Sequence, residues 1–344
     1  MPSTASNRSP ASGSSDRSPT DRLHRAAVLR ERVDNALTTL VADRTPAELY
    51  DPVRYVLAGD GKRVRPVLLL LVAEALDASV EAALPAALSV EVFHNFTLVH
   101  DDIMDDAPER RGRATVHTRW NTNTALLTGD VLMGVSYEVL GRLDAAVAPA
   151  AYAAVHPMVE HVCAGQALDA SFESRDDVSV DAYLDMIDGK TAALLATVFE
   201  LGGIVAQAPA SVCETLRAAG RATGRAFQIQ DDLLDLTADS DEWGKVVGGD
   251  LVAGKKTFLT LRALERAEGA DYQWFRRLVT EGGLPASDVP EARDRMADLG
   301  VFDEARAAVE DHTTAAREHL SVLPDTDATA TLHALLNRLQ ARAH

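Results

Sequence analysis

Several kinds of residue are scarce in this chain of 344 residues, and each scarcity excludes a class of protein. Two cysteines, Cys163 and Cys213, are too few for a disulfide framework, which favours a reducing, cytoplasmic location. The first 20 residues lack the apolar segment of a secretory signal. No uninterrupted apolar run approaches the roughly 18 residues of a bilayer span, so we expect no integral membrane association.

Positive charge is also scarce. The 34 lysines and arginines face 52 aspartates and glutamates, giving a net charge of −18, and only five of the bases are lysines. Nucleic acids and anionic membranes bind basic surfaces, so neither is an expected partner. A lysine-poor, acid-rich chain is typical of a high-salt cytoplasm, although an ordinary acidic protein has the same net charge.

Strand patterns are nearly absent, whereas helical patterns fill most of the chain. Residues 1–20 are rich in Ser, Pro and Thr and predict a disordered tail. From residue 21 onward, apolar residues recur at i, i+3, i+4 and i+7, as in Ala82–His100, and Ala and Leu dominate. We therefore predict one all-α domain over residues 21–344, a single large helical bundle.

Two acidic motifs interrupt strongly apolar helical segments, Val92–Asp106 and Phe227–Leu236. A solvated acidic face is not normally flanked by such residues, and an unpaired buried carboxylate is costly. The helical period places the first and last acids of each motif on one face. Two such faces opposed across a cavity would suit Mg²⁺, although chance acids in an acidic protein remain an alternative at this point. The motifs are Asp101-Asp102-x-x-Asp105 and Asp231-Asp232-x-x-Asp235.

Cationic residues cluster beside these acids. Arg110 and Arg111, taken alone, fit a solvated turn, but lysine and arginine together also suit the oxygens of a diphosphate. The glycine-rich segment Gly244–Gly254 predicts a mobile flap that excludes water. Acids for Mg²⁺, these cations and an apolar helical cavity together indicate an apolar diphosphate substrate. All five lysines lie close to the motifs, namely Lys62, Lys190, Lys245, Lys255 and Lys256.

The motifs, taken in order, resemble those of the trans-isoprenyl diphosphate synthases (polyprenyl synthetases), especially short-chain archaeal and bacterial members that make geranylgeranyl diphosphate. The resemblance runs from about Asp51 to Thr257. Asp60 and Leu259 depart from the family pattern, which often has Gly and Pro there, and neither departure removes a ligand. Besides the two acidic motifs, the series comprises Gly61-Lys62-Arg63-x-Arg65-Pro66, His94, Arg110-Arg111-Gly112, Gly129-Asp130, Gly165-Gln166-x-x-Asp169, Lys190-Thr191, Phe227-Gln228, Gly244-Lys245, Asp250 and Gly254-Lys255.

The resemblance implies an all-α bundle around a central cavity, usually dimeric, with both acidic motifs facing inward. It implies about three Mg²⁺ ions, with Mn²⁺ as an alternative, held by Asp101, Asp105 and Asp231. Asp102 and Asp235 would support them, and Asp232 belongs to the same catalytic set. The allylic diphosphate would bind Arg110, Lys190, Gln228, Lys245 and Lys255. Isopentenyl diphosphate would bind Lys62, Arg65, His94 and Arg111. Thr191 and Gln228 would stabilise the allylic cation formed during the reaction.

The implied enzyme is a prenyltransferase. It joins isopentenyl diphosphate head-to-tail to dimethylallyl, geranyl or farnesyl diphosphate, by Mg²⁺-assisted ionisation of the allylic partner, to give geranylgeranyl diphosphate. A farnesyl or C25 synthase shares this chemistry. A class I terpene cyclase would carry a different second acidic motif, and a non-catalytic subunit usually loses an acidic motif or a lysine, which this sequence does not.

The residues before the first acidic motif predict the product length. One helical turn rises about 5.4 Å, close to one isoprene unit. Phe96 lies five residues before Asp101, the small Thr97 lies four before it, and Phe93 lies eight before it. A single aromatic five residues before the motif resembles the archaeal geranylgeranyl pattern, although both phenylalanines also fit an ordinary core.

We predict that Phe96→Ala lengthens the product, because the bulk that stops the growing chain is removed. Dephosphorylated products sized by chromatography measure the effect. An unchanged product would contradict the assignment of Phe96 to the chain-length pocket.

Overall fold

The computed structural model describes residues 19–238 and 247–340. Most of the predicted tail, residues 1–18, lies outside the described residues, and residues 19 and 20 belong to the first helix. The first part of the predicted flap, including Gly244 and Lys245, also lies outside them.

The described residues form the predicted all-α architecture, so the expected fold class is confirmed. The α-helices in chain order are α1 (Pro19–Thr39), α2 (Ala47–Leu57), α3 (Val64–Ala75), α4 (Val80–Met104), α5 (Val116–Arg119), α6 (Thr122–Leu140), α7 (Ala148–Phe172), α8 (Val180–Ile187), α9 (Ala193–Val205), α10 (Ala210–Thr237), α11 (Gly249–Val252), α12 (Phe258–Arg266), α13 (Gly269–Thr280), α14 (Val289–Asp298), α15 (Val301–Leu320) and α16 (Asp327–Gln340). A π-helical turn, Asp188–Ala192, joins α8 to α9, and a 3₁₀ turn, Ala286–Asp288, precedes α14.

One small hairpin departs from the expectation of no strands. Strands β1 (Glu109–Arg110) and β2 (Arg113–Ala114) pair antiparallel. Arg111 and Gly112 both have positive φ, 53° and 71°, which is the geometry of a two-residue type I′ turn. Strands of two residues are too short to show an alternating pattern, so sequence periodicity does not predict them.

Helix α4 is central to the fold. Its N-terminus is capped by Ser79, whose hydroxyl oxygen accepts a hydrogen bond from the Ala82 N–H, and it packs mainly against α3 and α6. By length and composition it could cross a bilayer, with a mean hydropathy of 1.3 over its most apolar window. Because 67% of that window is buried within the protein, α4 is better explained as a core helix.

Helix α10 joins the two hydrophobic cores. Its first half contributes Leu216 and Ala219 to a core built around α3, α4, α6 and α9. Its second half contributes Ile229 and Leu233 to a core formed with α8 and α12 to α15. The two acidic motifs therefore lie in the last turns of two long, well-packed helices, α4 and α10.

A buried arginine fixes the loop between α2 and α3. The side chain of Arg63 is only 3% exposed and donates hydrogen bonds to Asp34 on α1 (2.8 Å) and Glu91 on α4 (2.7 Å). It also donates to the carbonyl oxygens of Leu57 and Gly59. Arg63 has a φ of 49°, a left-handed conformation that non-glycine residues seldom adopt, so these contacts hold a strained backbone.

We predict that Arg63→Met lowers the free energy of unfolding by about 3–5 kcal/mol, because it leaves the buried Glu91 carboxylate unpaired. Arg32→Met is the matched control. It removes an exposed pair with Glu81 at 3.8 Å and should cost less than about 1 kcal/mol. Urea unfolding of both variants measures the difference, and equal losses would contradict the buried-pair account.

Candidate active site

The first acidic motif divides its side chains between two surroundings. Asp102 is 6% exposed, and its Oδ1 accepts a hydrogen bond of 2.6 Å from Arg110 Nε in the hairpin. Asp101 Oδ1 lies 3.8 Å from Lys190 Nζ, and its Oδ2 lies 3.6 Å from Arg110 Nη2. Burial raises the pKa of Asp101 and the charge of Asp105 adds to the shift, while Lys190 opposes it. Asp101 and Asp105 therefore share one face, and Asp102 is used to hold the hairpin.

The second acidic motif differs from the first in that two of its acids are buried. Asp232 and Asp235 are both buried, 4% and 7% exposed, whereas Asp231 is half-buried. Asp235 Oδ2 accepts a hydrogen bond from the backbone N–H of Asp250, which ties α11 to α10. Burial raises the pKa of Asp232 to about 7, and hydrogen bonds from Tyr183, Phe258 and Gln228 oppose that shift. Donors inside the protein thus fix the positions of Asp232 and Asp235.

Lys190 and Thr191 lie in the π-helical turn. Lys190 Nζ is 2.5 Å from Asp169 Oδ2 on α7 as well as near Asp101, and the Thr191 hydroxyl donates to Gln228 Oε1 at 2.9 Å. Single π-helical turns inside α-helices are frequent at functional sites. The turn thus links the first motif to the helix that carries the second.

The π-helical turn is anchored from both sides. Asp188 accepts hydrogen bonds from Arg225 (2.6 and 2.5 Å) and from Arg221, both on α10. On the other side α7 approaches so closely that a Cβ on Gly165 would lie 2.1 Å from the backbone nitrogen of Lys190. Only glycine fits there without a shift of backbone.

Arg65 and His94 form a half-buried pair beside the first motif. Arg65 Nη1 lies 3.0 Å from His94 Nε2. Burial, followed by the charges of Arg65 and Arg111, lowers the pKa of His94 well below its usual range, so the ring is neutral and Nε2 accepts the hydrogen bond. Arg65 Nε is buried and, among the described residues, lacks a hydrogen-bond partner. A cation with a buried, unused donor is suited to an anionic ligand.

Arg111 lies beside this pair, whereas Lys62 lines a groove with residues of α1 and α16, such as Arg30 and Arg338. Arg111 Nη1 donates to the Asp60 carbonyl oxygen at 3.1 Å, and Lys62 is exposed next to that loop. Burial lowers the pKa of Arg65, and the charge of Asp231 acts against that change, so Asp231 lies within electrostatic range of Arg65.

Lys255 connects the second motif to the first. Its Nζ is 3.7 Å from Asp250 Oδ1. Burial by itself would lower the pKa of Lys255. The carboxylates of Asp250, Asp105, Asp169 and Asp101 together raise that pKa above its usual value. Acids and lysines from distant parts of the chain are therefore brought together at this site. Lys245, the other lysine predicted here, lies outside the described residues.

The predicted chain-length residues lie one and two turns before the first motif. Phe96 is 9% exposed, and its ring centroid lies 5.3 Å from that of Phe93 and 4.9 Å from that of His100. Thr97 is half-buried, and its hydroxyl donates to the His94 carbonyl oxygen. The two phenylalanines form a tilted aromatic pair within α4, with 56° between the ring planes.

The acidic face suits a divalent cation that arrives with its own anionic ligand. Among residues 19–238 and 247–340, no three acids, histidines or cysteines form a preformed metal cluster. Mg²⁺ commonly takes only one or two carboxylates and fills its shell with water and substrate phosphates. The acids also lie at helix C-termini, where the helix dipole disfavours negative charge, so cations stabilise them there.

Sequence reasoning did not assign a site role to Asp169 or Asp250. Asp169 belongs to the Gly165-Gln166-x-x-Asp169 motif. Its contact with Lys190 explains why an acid follows Gly165 one helical turn later. Asp250 lies one turn before Lys255, and this spacing was the only available signal. Tyr183 had no signal beyond an aromatic residue on an amphipathic helix.

Comparisons with known proteins identify the family of this chain. The sequence profile of the polyprenyl synthetase family matches residues 46–296. The geranylfarnesyl diphosphate synthase of Natronomonas pharaonis is 40% identical over 92% of this chain and 96% of its own length. The geranylgeranyl pyrophosphate synthase of Geoglobus acetivorans is 36% identical over 93% and 98%. The solved geranylgeranyl pyrophosphate synthetase from Pyrococcus horikoshii Ot3 superposes with a TM-score of 0.87, at 35% identity, covering 93% of this chain and 98% of its own.

We predict that Gly165→Ala lowers activity about 100-fold, because the added Cβ displaces the backbone at Lys190. Gly134→Ala on α6 is the matched control, since its Cβ would meet nothing within 4 Å. Steady-state turnover, with circular dichroism to verify folding, measures both variants. A folded Gly165→Ala protein with full turnover would show that the close approach of α7 does not position the lysine.

Proposed function

The chain belongs to the polyprenyl synthetase family, and from that premise we propose that it condenses isopentenyl diphosphate with allylic diphosphates to form geranylgeranyl diphosphate. It is a transferase. The observation that carries the proposal is the meeting of Asp101, Lys190 and Asp169 from three helical segments, with Arg65 and its unused donor nearby.

The two diphosphates would occupy different sides of the cavity. Asp101, Asp105 and Asp231 suit about three Mg²⁺ ions, which when bound neutralise charge on the allylic diphosphate and so promote its departure. The allylic diphosphate would also contact the cationic and amide side chains on that side, which are Arg110, Lys190, Gln228, Lys245 and Lys255. Isopentenyl diphosphate would lie against Lys62, Arg65, His94 and Arg111, where the neutral His94 orients Arg65.

The protein's own residues would promote the reaction in two ways. The cations stabilise the charge that develops as the allylic C–O bond breaks and its electron pair leaves with the diphosphate. The clamp on isopentenyl diphosphate holds its alkene close to the cationic carbon, where the new C–C bond forms. The proton lost from the adjacent carbon passes to the released diphosphate, so no side chain is needed as a base. Thr191 and Gln228 would direct their dipoles toward the cation.

A C25 product is the second candidate. The 40% identity to a geranylfarnesyl diphosphate synthase favours it. The buried aromatic pair of Phe93 and Phe96, before the first motif, supports the shorter C20 product, because its bulk would limit the space for a growing chain.

We also propose that the protein acts as a cytoplasmic homodimer. Leu126 and Leu127 on α6 are large apolar side chains that are 44% and 56% exposed, and neighbouring exposed apolar residues favour a protein interface. Cys163 and Cys213 are both free cysteines, which supports a reducing compartment.

We predict a C20 product when the purified protein is given Mg²⁺, labelled isopentenyl diphosphate and dimethylallyl, geranyl or farnesyl diphosphate, at low and at molar KCl. EDTA should abolish elongation, and Asp101→Asn should lower it about 100-fold, because the charge that faces Lys190 is lost. Asp106→Asn, which alters a fully exposed neighbouring carboxylate, should leave elongation unchanged. A C25 product would favour the second candidate, and no elongation at any salt concentration would reject the proposed function.

A further inference from the structure

Tyr183 is a buried polar residue that the reaction described above does not use. It lies on α8, is 2% exposed, and packs near Phe258 with ring centroids 6.3 Å apart. Its hydroxyl donates a hydrogen bond of 2.6 Å to Asp232 Oδ2. A phenol buried this deeply needs such a partner, but the partner here belongs to the second acidic motif.

Asp232 is the centre of a group of hydrogen bonds from three segments. Oδ2 accepts from Tyr183 and from the backbone N–H of Phe258, the first residue of α12, at 3.0 Å. Oδ1 accepts from Gln228 Nε2 at 3.1 Å. An ionised carboxylate has about four lone-pair positions, and three of them are occupied by protein donors. The side chain is thus held in place from both of its oxygens.

The carboxylate also determines which way the Gln228 amide points. In its ionised form Asp232 only accepts hydrogen bonds, and the amide NH₂ of Gln228 then faces it while the amide oxygen faces away. That oxygen lies 2.9 Å from Thr191 Oγ1 and can only accept, so the Thr191 hydroxyl must donate. The lone pairs of the Thr191 oxygen are then directed away from Gln228. A hydroxyl oxygen in this orientation stabilises positive charge placed against it.

The same carboxylate holds the segment that follows Lys255. Its bond to the Phe258 N–H places an anion at the N-terminus of α12, a nine-residue helix, where the helix dipole favours it. Thr257 caps this helix, and Lys256 Nζ donates to the Glu173 carbonyl oxygen on the other side of the segment. Lys255 therefore extends from a backbone that Asp232 helps to fix.

We propose that Tyr183 is a positioning residue for the condensation, which through Asp232 and Gln228 orients the Thr191 hydroxyl so that its oxygen faces the allylic cation. This inference rests on the proposed function. It assigns Asp232 to the positioning of other side chains, in contrast to Asp231 on the cavity face. Tyr183 itself contacts neither diphosphate nor the reacting carbons.

Tyr183→Phe tests the proposal, because it removes only the hydroxyl. We expect kcat to fall about 10- to 100-fold, as is typical when a supporting hydrogen bond of a metal-dependent site is lost, while both KM values and the Mg²⁺ dependence change less than about twofold. Tyr152→Phe is the matched control. Its hydroxyl donates to the Tyr137 carbonyl oxygen at a half-exposed position, so its kcat should stay at the wild-type value.

A double-mutant cycle separates positioning from a general effect on folding. If Tyr183 acts through Thr191, Tyr183→Phe should cost little further activity in a Thr191→Val background, because coupled residues are not additive. Full additivity of the two losses, together with a matching loss of thermal stability, would overturn the proposal.

Asp232→Asn provides a second test that keeps the side-chain shape if Tyr183→Phe fails to fold. The new amide can keep its oxygen toward Tyr183 and Phe258 and turn its NH₂ toward Gln228, which reverses the hydrogen bonds up to Thr191. We expect kcat to fall with an unchanged Mg²⁺ dependence. A shifted Mg²⁺ dependence would assign Asp232 to metal binding and overturn the proposal. Wild-type protein without elongation would reject the proposed function itself, whereas active wild type with unaltered variants would reject only this role.

Discussion

The side chains of adjacent residues on an α-helix point about 100° apart, so the two acids of each Asp-Asp pair have different surroundings and different roles. Asp101 faces Lys190, so its neighbour Asp102 is directed into the protein, where Arg110 holds it. The second motif repeats the arrangement, with Asp232 bonded to Tyr183 and to the start of α12. In each motif the first acid of the pair lies among the charged side chains of the site, and the second hydrogen-bonds to a neighbouring segment that carries a cation. Asp102 holds the hairpin that contains Arg110, and Asp232 holds the backbone that follows Lys255.

Several groups at this site occupy energetically unfavourable positions, and the surrounding fold holds them there. The acids lie at helix C-termini, Arg65 carries a buried unused donor, and Arg63 and Arg111 have positive φ. Packing and hydrogen bonds elsewhere, above all those of Arg63 with Asp34 and Glu91, keep these groups in position. Bound divalent cations would neutralise the acids, and a bound diphosphate would neutralise the cationic side chains. These charged groups are already in position before substrate binds.

The sequence predicted the fold class because helical periodicity and helix-forming residues run through the chain, and it predicted the acidic motifs because their spacing matches one helix face. Partners that depend on tertiary packing could not be predicted. Nothing local distinguishes Asp232 from Asp231, and nothing in α8 indicates that Tyr183 meets a carboxylate 49 residues away. The hairpin was too short to detect, and the close approach of α7 to the π-helical turn at Gly165 depends on tertiary packing. Lys190 was predicted from its motif, whereas its pairing with Asp169 was not.

Anomalous diffraction from crystals grown with Mn²⁺ and an unreactive thio analogue of an allylic diphosphate tests this division of the acids most directly. The account predicts manganese peaks beside Asp101, Asp105 and Asp231, with Asp102 still bonded to Arg110 and Asp232 still bonded to Tyr183. Manganese ligated by Asp102 or Asp232, with either of those bonds broken, would contradict it.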